Sequence, residues 1–324
     1  MDHLSIIRRP VETELSCYKR YFDEALSHED DFMGRVLAHV RSRSGKMMRP
    51  LLVLLVAKEA GSVNEAALRS AVTLELLHTA SLVHDDVVDE SDERRGQSSV
   101  NAVFGNKVAV LMGDYLLSTA LRQAAMTADL RCVDIVARLG GTLSEGEVYQ
   151  LSNIRSEVSS EDAYFSIIRS KTAALFAACG RLGALVSGAD DAFVREAAAF
   201  GENVGICFQI RDDIFDYFDD GNIGKPTGND MAEGKLTLPA LYVLRASGDP
   251  ALHAAAGRIK QGRAAQADID LLVSAAKTAG GIDYARGVME EYREKALRNL
   301  DAFTRPDIRE ALAAYLDFVI GRKI

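Results

Sequence analysis

Apolar positions along the chain recur with the period of a helix. Between residues 71 and 83, Ala71, Val72, Leu74, Leu76, Leu77, Ala80, Leu82 and Val83 fall at i, i+3 and i+4 spacing over several turns. The same rhythm runs through the stretches around 107–127, 130–152, 161–186, 191–218 and 282–302. Period-two alternation bounded by turn residues, the signature of strands, is not found. The pattern predicts a nearly all-α protein, a bundle of ten or more helices. The helices over 71–89 and 197–218 are apolar on more than one face, which assigns them to the middle of the bundle. Four of the six prolines (Pro10, Pro50, Pro226 and Pro250) fall at element starts or in loops. No Pro-, Gly- or Ser-rich linker divides the chain, so residues 1–324 are read as one domain, although that length exceeds the usual single-core limit.

Composition narrows the function classes. Apolar residues make up 48% of the chain, enough for a large core. The formal net charge of −9 argues against nucleic acid as a partner, because phosphate neutralisation needs clustered Lys and Arg. The cysteines Cys17, Cys132, Cys179 and Cys207 lack CxxC or zinc-ligand spacing and read as free thiols of a reducing compartment. The N-terminus carries no basic stretch followed by an apolar run. The longest apolar stretch, Leu51 to Ala57, is far short of the ~20 residues of a membrane span. These features predict a cytoplasmic protein.

Two aspartate-rich boxes dominate the chemistry: Asp85-Asp86-Val87-Val88-Asp89 and Asp212-Asp213-Ile214-Phe215-Asp216. In each, the outer aspartates are four apart and share one helical face. Each box closes an apolar helix, where the macrodipole is negative and like charges repel, so the carboxylates call for a cation. Magnesium suits them, being a hard ion that divides its coordination between carboxylate, water and phosphate oxygen. Basic residues accompany the boxes. Arg94 and Arg95 follow the first. The loop Asp219 to Lys235, with four glycines, Lys225 and Lys235, follows the second. Such a loop in a compact helical protein is more often functional than not. Lys46 and Arg49 open a predicted helix with Pro50 in its first turn, and a helix N-terminus with basic side chains suits a phosphate. Lys171-Thr172 interrupts an otherwise apolar helix.

Taken together, these residues resemble the trans-isoprenyl diphosphate synthases, most of all the long-chain octaprenyl and solanesyl types. Gly45-Lys46-Met47-Met48-Arg49-Pro50, the run His78 to Gly96, Gly113-Asp114, Gly146-Glu147-x-x-Gln150, Lys171-Thr172, Phe208-Gln209 through Asp220, Gly224-Lys225-Pro226 and Glu233 to Pro239 follow the family order from about 45 to 240. The resemblance implies an isoprenoid-synthase helical bundle around a central cavity, working as a homodimer on isopentenyl diphosphate and an allylic diphosphate, farnesyl or shorter. It implies that Asp85, Asp89 and Asp212 hold about three magnesium ions, supported by Asp86, Asp213 and Asp216. Arg94, Lys171 and Lys225 would contact the allylic diphosphate. Gly45, Lys46, Arg49, His78 and Arg95 would bind isopentenyl diphosphate. Thr172, Gln209 and Lys235 would line the reaction centre. Ionisation of the allylic C–O bond, attack by the isopentenyl double bond and proton loss to the departed diphosphate need no histidine base, which leaves His84 a packing role. Loop 219–235 is the expected lid that excludes water.

Product length is read from the residues before the first box. In the family a bulky aromatic there stops growth early; Ala80 and Ser81 are small. The segment Thr119 to Met126 also offers small side chains where a tunnel floor would lie. The expectation is an all-trans product of roughly C35 to C50, of the kind that becomes a quinone side chain and touches a membrane on release. The alternatives are a C15 or C20 farnesyl or geranylgeranyl diphosphate synthase, a terpene cyclase and a regulatory subunit. Cyclases usually replace the second DDxxD and have little use for Lys46, Arg49 and Arg95, and regulatory subunits lose one or both boxes.

Overall fold

The computed structural model describes residues 2–42, 45–94, 96–155, 160–218 and 227–321. Seventeen α-helical segments account for most of them, as the periodicity predicts. Among the described residues the extended structure is one two-residue ladder, Glu93–Arg94 paired antiparallel with Gln97–Ser98. The chain resolves into two compact units.

The first unit comprises residues 1–141, 175–201 and 297–318. Its two most enclosed helices are Met48–Ala60, in which every residue from Pro50 to Ala57 is buried, and Glu65–Val88, buried without interruption from Ser70 to Leu77. Each fully buried Leu or Val there contributes about 1.5–3 kcal/mol of transfer free energy. Asn64 caps the second helix, its Oδ1 accepting from the Ala67 amide at 2.8 Å. Asn106–Ala125 runs antiparallel beside it: His84 Nε2 lies 3.2 Å from the Val110 carbonyl, and Arg69 Nη1 donates to Gln123 Oε1 at 2.8 Å. Close approach is bought with glycine. A Cβ on Gly180 would stand 2.0 Å from the Ala197 carbonyl oxygen, and one on Gly201 would stand 2.2 Å from that of Phe176.

The second unit comprises residues 142–174, 202–296 and 319–324. Its core gathers Ile206, Ile210, Ile214 and Tyr217 with Leu238, Val243, Ile259 and Leu272. Tyr217 is fully enclosed, with Thr237 Oγ1 at 3.0 Å from its hydroxyl and the Ala240 amide donating to it at 3.2 Å. The helix expected across 161–186 is not regular. It runs Glu161–Ile168, widens into a π-turn at Arg169–Ala173, and resumes as Ala174–Val186. Gly146 on Leu130–Arg155 makes room for that turn; a Cβ there would lie 2.7 Å from Ser170 Cβ.

Candidate active site

The first box closes Glu65–Val88, with Asp89 as its C-cap. Ser91 N donates to Asp86 O at 2.9 Å and Glu90 N to Val87 O at 3.3 Å. This is the double closure of a Schellman ending, with Glu90 at φ 50° in the left-handed position that glycine usually takes. The chain therefore turns back sharply, and the short ladder aims Arg94 at the box. Its Nε donates to Asp86 Oδ1 at 2.5 Å. The three carboxylates differ in environment. Asp86 is fully buried, Asp85 half-buried and Asp89 exposed. Helical geometry is the cause: positions four apart share a face, and the next residue turns about 100° away. Asn101 Nδ2 ties the turn together, donating to Ser91 O at 3.0 Å and Asp86 O at 3.4 Å.

Other predicted residues of this unit occupy neighbouring helices. His84 packs where Gly113 lacks a side chain, since a Cβ there would meet His84 Nε2 at 2.2 Å, and Asp114 Oδ1 stands 3.4 Å from the ring. Ala80 is buried; Ser81 is half-buried, its Oγ donating to the half-buried His78's carbonyl at 2.9 Å. The register of the two antiparallel helices sets Gln123 beside Arg69, so segment 119–126 runs along the N-terminal half of the box helix. Exposed Gly45 and Lys46 lead into Met48–Ala60, with Lys46 Nζ 4.7 Å over Phe318 and Arg49 Cζ 5.2 Å over Phe176. Arg95, Lys225 and residues 219–226 of the expected lid lie outside the described residues.

The second box closes Asp191–Phe215 and repeats the division of labour. Asp213 is 3% exposed and accepts from Tyr164 Oη at 2.5 Å and Gln209 Nε2 at 2.8 Å. Burial, with Asp230 adding to it, pushes its carboxyl well above the usual carboxylate range. Asp212 is accessible and hydrogen-bonded by Arg211, whose guanidinium lies over Phe208 and Phe215. Asp216 accepts from the Asn229 and Asp230 amides at 3.0 and 3.1 Å, which fixes the return of the loop to the short helix Asn229–Ala232.

The network continues from Asp213. Gln209 must turn its amide nitrogen to that carboxylate, so its Oε1 faces Thr172 Oγ1, which donates at 2.8 Å. Lys171, on the π-turn, pairs with Glu147 and donates to Gln150 Oε1 at 3.1 Å. Lys235 Nζ donates to Glu233 at 2.5 Å. A cavity of about 170 Å³ opens among Lys171, Thr172, Gln209, Asp213, Asp230 and Lys235. Tyr164 and Asp230 were not marked by the sequence. Tyr164 reads there as one aromatic on an apolar helix face, and no spacing rule links it to a carboxylate 49 positions on.

Among the described residues no three Asp, Glu, His or Cys side chains converge into a metal centre. Magnesium does not require one. It is usually held through one or two carboxylates while waters and substrate phosphates complete the octahedron. In each box carboxylates that are not buried, Asp85 and Asp89 in the first and Asp212 in the second, present oxygen, the donor type that magnesium takes.

Comparison with known proteins identifies the family. The octaprenyl diphosphate synthase of Haemophilus influenzae is 35% identical over 294 residues, 90% of this chain and 89% of that one. Among solved structures, the geranylgeranyl pyrophosphate synthase of Bacteroides thetaiotaomicron is 48% identical with a TM-score of 0.88, covering 99% of this chain and 100% of that one. The polyprenyl synthase of Caulobacter crescentus, complexed with calcium and isoprenyl diphosphate, is 32% identical with a TM-score of 0.92, covering 99% and 98%. With the polyprenyl synthetase model matched over residues 30–275, the chain belongs to that family of prenyl-transferring enzymes.

Proposed function

We propose that the chain is an all-trans polyprenyl diphosphate synthase that condenses isopentenyl diphosphate with an allylic diphosphate to about C35–C50, for quinone side chains. The family is magnesium-dependent and uses these two substrate classes. The long product rests on one observation: the position one turn before the first box is the buried Ala80, where no aromatic blocks a growing chain. Octaprenyl, nonaprenyl and heptaprenyl synthases among the relatives support it. The 48% identity to a geranylgeranyl pyrophosphate synthase favours a second reading, a C20 product. Incubation of the purified chain with farnesyl and radiolabelled isopentenyl diphosphate decides between them. Products of C35 or longer are expected; none beyond C20 refutes the long-chain reading.

In this mechanism Asp85, Asp89 and Asp212 hold about three magnesium ions, which when bound neutralise the charge that develops on the leaving diphosphate. Arg94, Lys171 and Lys225 bind the allylic diphosphate. Gly45, Lys46, Arg49, His78 and Arg95 bind isopentenyl diphosphate, and Thr172, Gln209 and Lys235 line the reaction centre. Asp86 and Asp213 act from behind: each is buried and fixed by a donor, so each orients its box rather than offering a free face. The two units work as one catalytic domain.

The working form is a homodimer. Val103, Val110, Leu111 and Leu121 are exposed apolar side chains on Val100–Phe104 and Asn106–Ala125, the kind of surface that a second copy covers. Light scattering should return twice the 35.2 kDa chain mass. Among the described residues no helix is long and apolar enough to cross a membrane, and we place the enzyme in the cytoplasm, with membrane contact only at product release.

A further inference from the structure

We infer that Tyr164 is a positioning residue that sets the second aspartate box and the Gln209–Thr172 pair in register for metal and diphosphate. The inference rests on the synthase reading above. Tyr164 is buried, and its hydroxyl donates to Asp213 Oδ2 at 2.5 Å. The other oxygen of the same carboxylate accepts from Gln209 Nε2 at 2.8 Å. Asp213 is thus gripped at both oxygens, so the carboxylate is not free to rotate beside Asp212. The grip is relayed. Because Gln209 must donate to Asp213, its carbonyl is committed to Thr172 Oγ1 at 2.8 Å, and Thr172 sits on the π-turn beside Lys171. π-Turns cluster at functional sites because they hold side chains off the regular helical register.

Tyr164 lies on the helix that leads into this turn, so one phenol braces the box from the same segment that carries Lys171 and Thr172. Burial and the Asp213 charge push the phenol's ionisation well above its ordinary range, which keeps it a donor at every working pH. Its ring also stands edge-on to Phe165 at 5.3 Å, a contact that phenylalanine would keep. The hydroxyl can therefore be removed with the packing left in place.

The test is Tyr164→Phe, titrated with Mn2+ in the presence of inorganic diphosphate and read by electron paramagnetic resonance, with thermal melting of the metal-free chain alongside. Partners that orient metal ligands typically govern 10–100-fold in metal affinity or activity. About tenfold weaker diphosphate-dependent Mn2+ binding is expected, with a matching fall in kcat and little change in KM for isopentenyl diphosphate. Mn2+ affinity within twofold of wild type, whatever the melting temperature does, overturns the inference. Tyr164→His retains a ring N–H donor and keeps the test open if the phenylalanine variant does not fold: affinity within threefold of wild type is expected, and a tenfold loss counts against the inference. Wild-type chain is assayed for elongation in parallel. Wild type that binds Mn2+ and diphosphate but adds no isopentenyl unit sinks the synthase reading while the Mn2+ result for Tyr164 stands.

Discussion

Asp213→Asn should stabilise the metal-free protein while disabling its site. The carboxylate is 3% exposed and both of its hydrogen-bonding partners, Tyr164 and Gln209, are neutral. Holding a charge there costs several kcal/mol of desolvation, and the charges of Asp230 and Asp212 add to it. Substitution by Asn surrenders the charge-assisted part of two hydrogen bonds, worth about 1–3 kcal/mol. The network can nonetheless invert: the new amide accepts from Tyr164 and donates to a flipped Gln209, whose nitrogen then donates to Thr172. The net gain is on the order of 1–3 kcal/mol, and each kcal/mol raises the melting temperature of a chain this large by roughly 2–4 °C. The pH dependence carries a definite sign. The folded carboxyl titrates above its unfolded value of about 3.9, so below that pH it is protonated in both states and the two proteins match. As pH rises through the interval up to the raised folded value, wild type progressively loses stability relative to the variant, after which the gap is constant. Melting in EDTA from pH 5 to 8 measures this. With magnesium and diphosphate the order reverses, because ligand at a hundred times its Kd adds about 2.7 kcal/mol to wild type alone. A variant that melts below wild type at pH 7.5 in EDTA, or a gap that does not widen with pH, refutes the reasoning.

Ala80→Phe should shorten the main product by several isoprene units on reversed-phase thin-layer chromatography, and an unchanged product rules out a tunnel wall at that level. Arg94→Ala leaves the fully buried Asp86 without its guanidinium and should cost about 2–4 kcal/mol in urea unfolding, with lysine recovering only part of it. Gly180→Ala sets a Cβ against a backbone oxygen that cannot rotate away and should destabilise by at least about 2 kcal/mol, whereas Gly140→Ala, with nothing within 4 Å, should be neutral or stabilising in the same assay. Burial pushes the Cys179 and Cys207 thiols up to about 12, so only about one in ten thousand is thiolate at pH 8. Intact-mass analysis after native iodoacetamide treatment should find both unmodified.

How much of this was legible in the sequence depends on the range of the interaction that fixes each feature. The helices were legible, because 3.6-residue apolar periodicity is a local signal, and so was the placing of both boxes at helix ends. The π-turn was not. The apolar pattern from 161 to 186 runs on across it, and the room it occupies is made by a residue distant in sequence, Gly146, where a Cβ would meet Ser170. The sharp ending after the first box was hidden for a different reason: Glu90 occupies a left-handed position that composition rules assign to glycine, so no turn signal marked it. The division into two units left no trace because no linker composition accompanies it. The boxes themselves are the instructive case. As a string, DDxxD presents equivalent aspartates, and charge alone asks for a cation at each. Helical geometry already separates them, since the first and last share a face and the second is turned away, but it cannot say which face is buried. Burial does. Asp86 and Asp213, the second aspartate of each box, both point inward and are both held by a donor from outside their own helix, Arg94 in one case and Tyr164 in the other. One of those donors sits in a recognisable arginine pair and the other in no motif at all. On the proposed function the repeated motif therefore carries two roles, accessible carboxylates for the ions and a buried one that fixes the helix end. The second role depends on partners that the motif does not contain.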